Sequence, residues 1–381
     1  MCTQLWRVLA LASVAGASGR VAQYARALPQ LGRAPRIAQR SRALAAASSS
    51  SGDAIGAQRE PFVSPVRDDG DGELGSAVES TARTGVANAL YKFTRPHTIR
   101  GTILASFAGV ARALIEHPSA ISLQLVPQAL RGLLALLLGN AFIVGINQIY
   151  DVEVDKINKP FLPIAAGEIS PQVAWALVLG SLCGGLLTVR LCFSQLIFGL
   201  YALGLSIGGL YSLPPIQLKR FPIAAGLVIS TVRGFLLNFG VYYAVREAIG
   251  VPFRWNPVVC FIATFMTVFA SVIAVTKDLP DVVGDAAYKV KTFATRYGVR
   301  AVARGACSAL GGAYAAATLL ALLAPAGVFR RLPMAVGHAA LGVKLLATYR
   351  RLDATSLGSI KRFYGGIWQI FYLQYALYPF I

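Results

Sequence analysis

An all-α bundle of about nine transmembrane helices is the fold this sequence predicts, on three observations. Of its 381 residues, 55% are hydrophobic and only 14% charged, whereas a soluble domain averages about 25% charged residues. The mean hydropathy is +0.58. From Tyr91 onward, apolar stretches recur with a length of about 20 residues, enough to cross a bilayer.

In chain order the spans fall near 93–115, 126–149, 171–191, 193–212, 221–244, 257–277, 300–326, 332–349 and 362–380. Each is a run of Leu, Ile, Val, Ala and Phe with Gly and Pro scattered through it. Membrane helices tolerate these residues where neighbours satisfy the freed backbone groups. Alternate loops carry Lys156 and Lys159, then Lys219 and Arg220, then Lys289, Lys291 and Arg296, then Arg350, Arg351 and Lys361. The opposite loops carry fewer bases, mainly Arg190, Arg246, Arg254, Arg330 and Arg331. The positive-inside rule places the first set, with the N-terminus, on the side of synthesis.

Residues 1–52 precede the bundle with seven arginines (Arg7, Arg20, Arg26, Arg33, Arg36, Arg40, Arg42) and no acid. Arg- and Ser-rich, acid-poor composition describes an organelle transit peptide. The apolar run from Leu5 to Ala17 is also compatible with a secretory signal preceding the transit segment, as in plastids reached through the secretory route. Residues 53–86, with Asp68, Asp69, Asp71 and several Gly and Ser, read as a disordered linker. A membrane domain over 87–381 follows. The net charge of +19 does not point to nucleic acid, because seven of the positive charges belong to the leader. Five cysteines form no CxxC pair, so they read as small core residues rather than disulfides or zinc ligands.

Ten acids follow position 86, and six of them occupy two nine-residue windows at span ends. The first is Asn147-Gln148-Ile149-Tyr150-Asp151-Val152-Glu153-Val154-Asp155, and the second Lys277-Asp278-Leu279-Pro280-Asp281-Val282-Val283-Gly284-Asp285. Carboxylates beside long apolar runs are costly, and two such clusters on one membrane face need a compensating cation. Asn147, Asp151 and Asp155 share one stripe at helical spacing. Asp281 and Asp285 repeat that spacing, with Asp278 beside them and Pro280 and Gly284 opening the helix into a loop. Oxygen donors of this kind suit Mg²⁺, which keeps some of its waters and takes phosphate oxygens as further ligands. The flanking bases Lys156, Lys159, Lys219, Arg220, Lys277 and Lys291 form a landing site for a diphosphate. Mg²⁺ makes a diphosphate a good leaving group. An apolar cavity opening to the bilayer then implies a lipid tail, hence a polyprenyl diphosphate. Tyr150 and Tyr211 are placed to face an allylic cation, although a membrane Tyr also serves as an interface anchor.

The two windows resemble the aspartate-rich motifs of the UbiA family of membrane prenyltransferases, over most of residues 90–380. The stretch Asn158-Lys159-Pro160-Phe161-Leu162-Pro163-Ile164-Ala165-Ala166-Gly167 is similar to the branch of that family acting on homogentisate. Arg95-Pro96-His97-Thr98-Ile99-Arg100-Gly101-Thr102, Lys219-Arg220-Phe221-Pro222 and the run from Arg233 to Tyr242 resemble the solanesyl-adding members of the branch more than the phytyl-adding ones. The resemblance implies a UbiA-like helix bundle in a plastid membrane. It implies homogentisate as acceptor, a polyprenyl (solanesyl) diphosphate as donor, and release of the acceptor carboxyl as CO₂. It further implies one Mg²⁺ on Asn147, Asp151 and Asp155 and another on Asp281 and Asp285, with or without Asp278. Lys219 or Arg220, together with Lys291, would hold the diphosphate. Arg95 and His97 would meet the homogentisate carboxylate, or else anchor the helix start at the interface. Arg233 and Asn238, polar groups in an apolar helix, would face the bundle interior, where Asn238 also fits as interhelical glue. An ion-coupled transporter is the rival class. It would place its acids at midplane in broken helices of inverted repeats, whereas these acids lie at helix ends.

Overall fold

Backbone chemistry at Arg95 sets the first departure from the expected spans. The computed structural model describes residues 85–381 except 253, 255, 288 and 289. The leader expected over 1–52, the linker except for its last two residues, and Lys289 lie outside the described residues. Val86, expected to end the linker, instead starts a helix, α1 (Val86–Phe93). Arg95 adopts a left-handed conformation at φ 54° and precedes Pro96, the first residue of α2 (Pro96–Glu116). Proline lacks the N–H that a continuing helix would use but suits a first turn. The span expected from residue 93 therefore starts at Pro96, with the short α1 ahead of it.

The remaining long helices follow the expected spans, with the largest shift at Leu357, where 362 was expected, and three short ones, Val152–Asn158, Val282–Ala287 and Phe293–Tyr297, fall outside them. They are α3 (Leu125–Tyr150), α4 (Val152–Asn158), α5 (Pro171–Cys192), α6 (Gln195–Ser212), α7 (Pro222–Ala248), α8 (Pro257–Thr276), α9 (Val282–Ala287), α10 (Phe293–Tyr297), α11 (Val299–Leu323), α12 (Arg331–Arg350) and α13 (Leu357–Leu377). Side-chain caps from Ser170, Ser194 and Asn256 start α5, α6 and α8 by satisfying amide groups that no helical carbonyl reaches. Among the described residues, α2, α3, α5, α6, α7, α8 and α11 are long and apolar enough to cross a bilayer. Helices α12 and α13 fill the eighth and ninth expected positions but carry more polar and aromatic side chains.

α8 is the central helix. Its Phe261, Phe265, Met266 and Phe269 are fully buried, and they pack with Tyr314 of α11, Met334 of α12 and Phe371 of α13. Between membrane helices such contacts gain from close packing rather than from escape from water. Small residues let backbones meet: a Cβ on Gly234 of α7 would lie 2.4 Å from Thr267 Cα of α8. The middle of α7, Ser230–Leu236, is π-helical. At the end of the bundle away from the acidic windows, Glu116 accepts from Tyr242 at 2.5 Å, Asn256 at 2.7 Å and Arg112 at 2.9 Å. That cluster ties α2 to α7 and to the start of α8, leaving the opposite end to the acids.

Candidate active site

The first window folds as α3 followed, after a break at Asp151, by α4. Helical spacing survives the break: the Asp151 amide donates to the Asn147 carbonyl at 3.0 Å, and the Asp155 amide to the Asp151 carbonyl at 2.8 Å. Asn147 Nδ2 donates to Asp151 Oδ2 at 2.7 Å, and Arg95 Nη2 donates to Asn147 Oδ1 at 2.9 Å. The left-handed turn at Arg95 thus delivers its guanidinium to the acids, where it also lies 3.8 Å from Asp155 Oδ2. Lys219, on the 3₁₀ turn Leu218–Arg220 ahead of α7, donates to Asp151 Oδ1 at 2.5 Å.

The second window departs from expectation. Gly284 does not open a loop; it sits inside α9. α8 ends at Thr276, so Pro280 sits in the turn beyond it, and the chain re-enters a helix at Val282. Gly284 allows a close approach, because a Cβ there would fall 1.9 Å from Asn158 Oδ1 on α4. Asn158 Nδ2 then donates to Asp285 Oδ1 at 3.1 Å. Lys159 donates to Asp281 and lies 3.8 Å from Asp155, so one ammonium bridges the two windows. Lys277 donates to its neighbour Asp278 at 2.5 Å.

Electrostatics follow from this crowding. Burial pushes the Asp285 carboxyl up to about 7, with the nearby Asp281 and Asp278 charges adding to the shift. Burial also raises Asp155, against the pull of Lys159 and Arg95. Asp155 Oδ2 is sealed from solvent and accepts no hydrogen bond. Among the described residues no three Asp, Glu, His or Cys side chains converge as a metal cage. The two expected metal clusters are instead rows of carboxylates held by Lys219, Lys159, Lys277 and Arg95. The donor set nevertheless fits a hard cation: it is all oxygen, it has carboxyls held back from ionising, and one of its oxygens is unbonded.

Both windows open on a cavity of about 1940 Å³, well above the roughly 300–1,000 Å³ of ordinary small-molecule pockets. Its mouth is charged, and its interior is apolar, running between α2, α3, α6 and α7 past Leu136, Leu133 and Val241 to Gln128 and Phe193. Of the expected site residues, all but Lys156 and Asn238 line it. Lys156 is placed elsewhere because its helix face turns outward; it is exposed and pairs with Glu153 at 2.8 Å. Asn238 is spent on the backbone of α7, donating to the Gly234 carbonyl at 2.7 Å. Tyr150 lies at the rim against Trp175, and Tyr211 lines the wall. Sequence reasoning missed Asn158 and the aromatic wall of Tyr364, Trp368 and Tyr372. The four-residue spacing of those three rings along α13 was a legible signal of one helix face.

Comparison with known proteins bears on this arrangement directly. The model of the UbiA prenyltransferase family matches residues 102–374. The chain belongs to this family. Over 296 residues it is 51% identical to the chloroplastic homogentisate solanesyltransferase of Arabidopsis thaliana, covering 77% of this chain and 76% of that protein. Over 312 residues it is 49% identical to a probable chloroplastic homogentisate phytyltransferase 2 of Oryza sativa subsp. japonica, covering 81% and 82%. The fold matches the structure of a UbiA homolog from Archaeoglobus fulgidus bound to DMAPP and Mg²⁺, with TM-score 0.55 and 20% identity over 77% of this chain and 99% of that one. As a member of the family, the chain is a membrane prenyltransferase of all-α architecture.

Proposed function

We propose that the enzyme transfers a polyprenyl group, solanesyl in our reading, from its diphosphate to homogentisate in a plastid membrane. The acceptor's carboxyl leaves as CO₂, yielding a precursor for plastoquinone. The observation that carries this reading is a single cavity with paired acidic windows at its mouth and a long apolar interior. The mouth suits a diphosphate, and the interior suits a hydrocarbon tail. Asn147, Asp151 and Asp155 would hold one Mg²⁺, and Asp281 and Asp285, with Asp278 beside them, another. Bound there, Mg²⁺ supplies charge stabilisation for the departing diphosphate. Lys219, Arg220, Lys277 and Lys291 bring positive charge to the same oxygens, and Lys159 holds the two windows in register. The apolar walls keep water from an allylic cation, and Tyr211 offers it an aromatic face. Relatives at nearly equal identity bear solanesyl and phytyl names, so phytyl transfer is the second reading.

Membranes containing the protein, given homogentisate, Mg²⁺ and prenyl diphosphates of graded length, test the assignment by product mass. Efficient use of long donors, with carboxyl label released in step with product, is expected. A preference for the phytyl donor selects the second reading, and label retained in the product refutes the decarboxylating branch. For the plastid assignment, residues 1–86 fused to a fluorescent protein should carry it to plastids of a photosynthetic host. Accumulation in mitochondria would refute that placement.

A further inference from the structure

Arg233 of α7 is engaged differently from the bases that hold the acidic windows. Arg95, Lys159, Lys219 and Lys277 all hold acids. Arg233 holds none. It lines the cavity from the π-helical turn of α7. Its Nη1 is sealed from solvent without a hydrogen-bond partner. Its guanidinium lies over the Trp368 ring, 5.6 Å from the centroid. A cation left unpaired in an apolar bundle is unfavourable, so its retention needs a compensating anion.

The surroundings are built to hold it there. The π-turn frees backbone carbonyls, and Asn238 Nδ2 takes up that of Gly234 at 2.7 Å. Gly234 seats the turn against the backbone of α8. Gly101 of α2 leaves room for the guanidinium, since a Cβ there would fall 3.1 Å from Nη1. The His97 ring meets Trp368 edge-on at 5.0 Å, and Tyr372 donates to the His97 carbonyl at 2.9 Å. Gly101 is six residues beyond Arg95, roughly 9 Å along the helix. Arg233 is thus set back from the acidic windows by about the span of an aromatic ring with a short side chain.

A planar cation with aromatic walls matches a carboxylate borne on an aromatic ring: the fork takes the two oxygens and the walls take the ring. We propose that Arg233, walled by His97, Trp368 and Tyr372, is the subsite for the carboxylate of the aromatic acceptor. Acceptor choice is then set by α7 and α13, apart from donor binding at the windows. Arg95, expected from sequence to meet this carboxylate, is already committed to Asn147 and Asp155. The inference rests on the reading of the acceptor as an aryl acetate.

Binding of homogentisate and of its methyl ester, without donor, is measured calorimetrically on protein in lipid nanodiscs, for wild type, Arg233→Met and Arg233→Lys. Wild type should favour the free acid by about ten-fold or more, as expected for losing a hydrogen bond to a charged group. Arg233→Met should erase that preference, and Arg233→Lys should keep part of it. Arg233→Met should also melt no lower than wild type, because an unpaired buried cation has been replaced by an apolar chain. The KM for prenyl diphosphate should stay unchanged. A preference that survives in Arg233→Met overturns the proposal, as does an equal loss of donor affinity. So does a much lower melting temperature with neither acceptor bound, which would make Arg233 a packing element. Arg233-dependent binding of the free acid with no prenyl transfer to it would uphold the subsite and sink the functional reading instead.

Discussion

Lys159 is the residue that lets two acidic rows face each other. Its ammonium donates to Asp281 and stands 3.8 Å from Asp155, offsetting repulsion that would otherwise push α4 and α9 apart. Removing one partner of a largely buried pair costs about 3–5 kcal/mol. Lys159→Met should therefore lower the melting temperature in chelator, and added Mg²⁺ should recover more of it than in wild type. Equal Mg²⁺ responses in the two proteins would refute a metal between the windows. Asp285 adds a pH dependence. Its carboxyl is pushed up to about 7 by burial and by Asp281 and Asp278. Below that pH it is protonated, and a cation must displace the proton to bind. The Mg²⁺ concentration for half-maximal activity should rise roughly eight-fold between about pH 7.5 and pH 6, as one coupled proton requires. Asp285→Asn should flatten that dependence while raising the requirement at every pH. A wild-type requirement that does not change over this range would remove Asp285 from the metal set.

At the scale of elements, the site depends on where helices break. Asp151 caps α3 and Thr276 ends α8, and each break is followed by a short helix that buries one carboxylate, Asp155 or Asp285. Gly284 on α9 makes the approach of the two short helices possible. Gly284→Ala would drive a Cβ into the Asn158 amide, which lies 1.9 Å from that position, and break its bond to Asp285. Overpacking of this kind costs about 1–3 kcal/mol. Activity and melting temperature should fall together. Adding Asn158→Ala should restore the melting temperature but not the activity, since the bond to Asp285 stays absent. Recovery of both would mean that the Asn158–Asp285 bond is dispensable. The spans and both aspartate rows were legible because hydropathy and four-residue spacing are local signals. The contact of Asn158 with Gly284 was not, because it joins residues 126 positions apart. Gly284 looked like a loop residue for the same reason: its need for space lies on another helix. The π-turn of α7 was equally hidden, since no local pattern in Ser230–Leu236 distinguishes π-helical from α-helical backbone. Arg233 and Asn238 could be flagged as interior, but only the three-dimensional packing divides them into a cavity-facing cation and a backbone clasp.

On the proposed function, the whole molecule would act as a ruler as well as a reaction vessel. The charged mouth is fixed by Asp151, and the cavity continues along α3 to Gln128 near the far end. From Asp151, Leu136 is roughly 22 Å and Ala129 roughly 33 Å along the helix axis. A tail whose diphosphate is held at the mouth must pass Leu136 before it reaches Ala129. The far end is itself held in shape by the Glu116 cluster and by Gln128, whose side chain donates to the Cys192 carbonyl at 2.7 Å. Bulk added at these two positions should therefore cut the accepted chain at different lengths. Leu136→Trp should lower kcat/KM for the longest donors by about ten-fold or more while leaving shorter, phytyl-sized donors near wild type, in keeping with pocket discrimination by steric fit. Ala129→Trp should leave intermediate donors untouched and affect only the longest. Neither change should alter the KM for homogentisate, because neither residue touches the Arg233 pocket. Product masses from competing donors of graded length check this directly. Identical chain-length profiles in both variants and wild type would mean that the tail leaves the cavity sideways into the bilayer and is not measured by its depth.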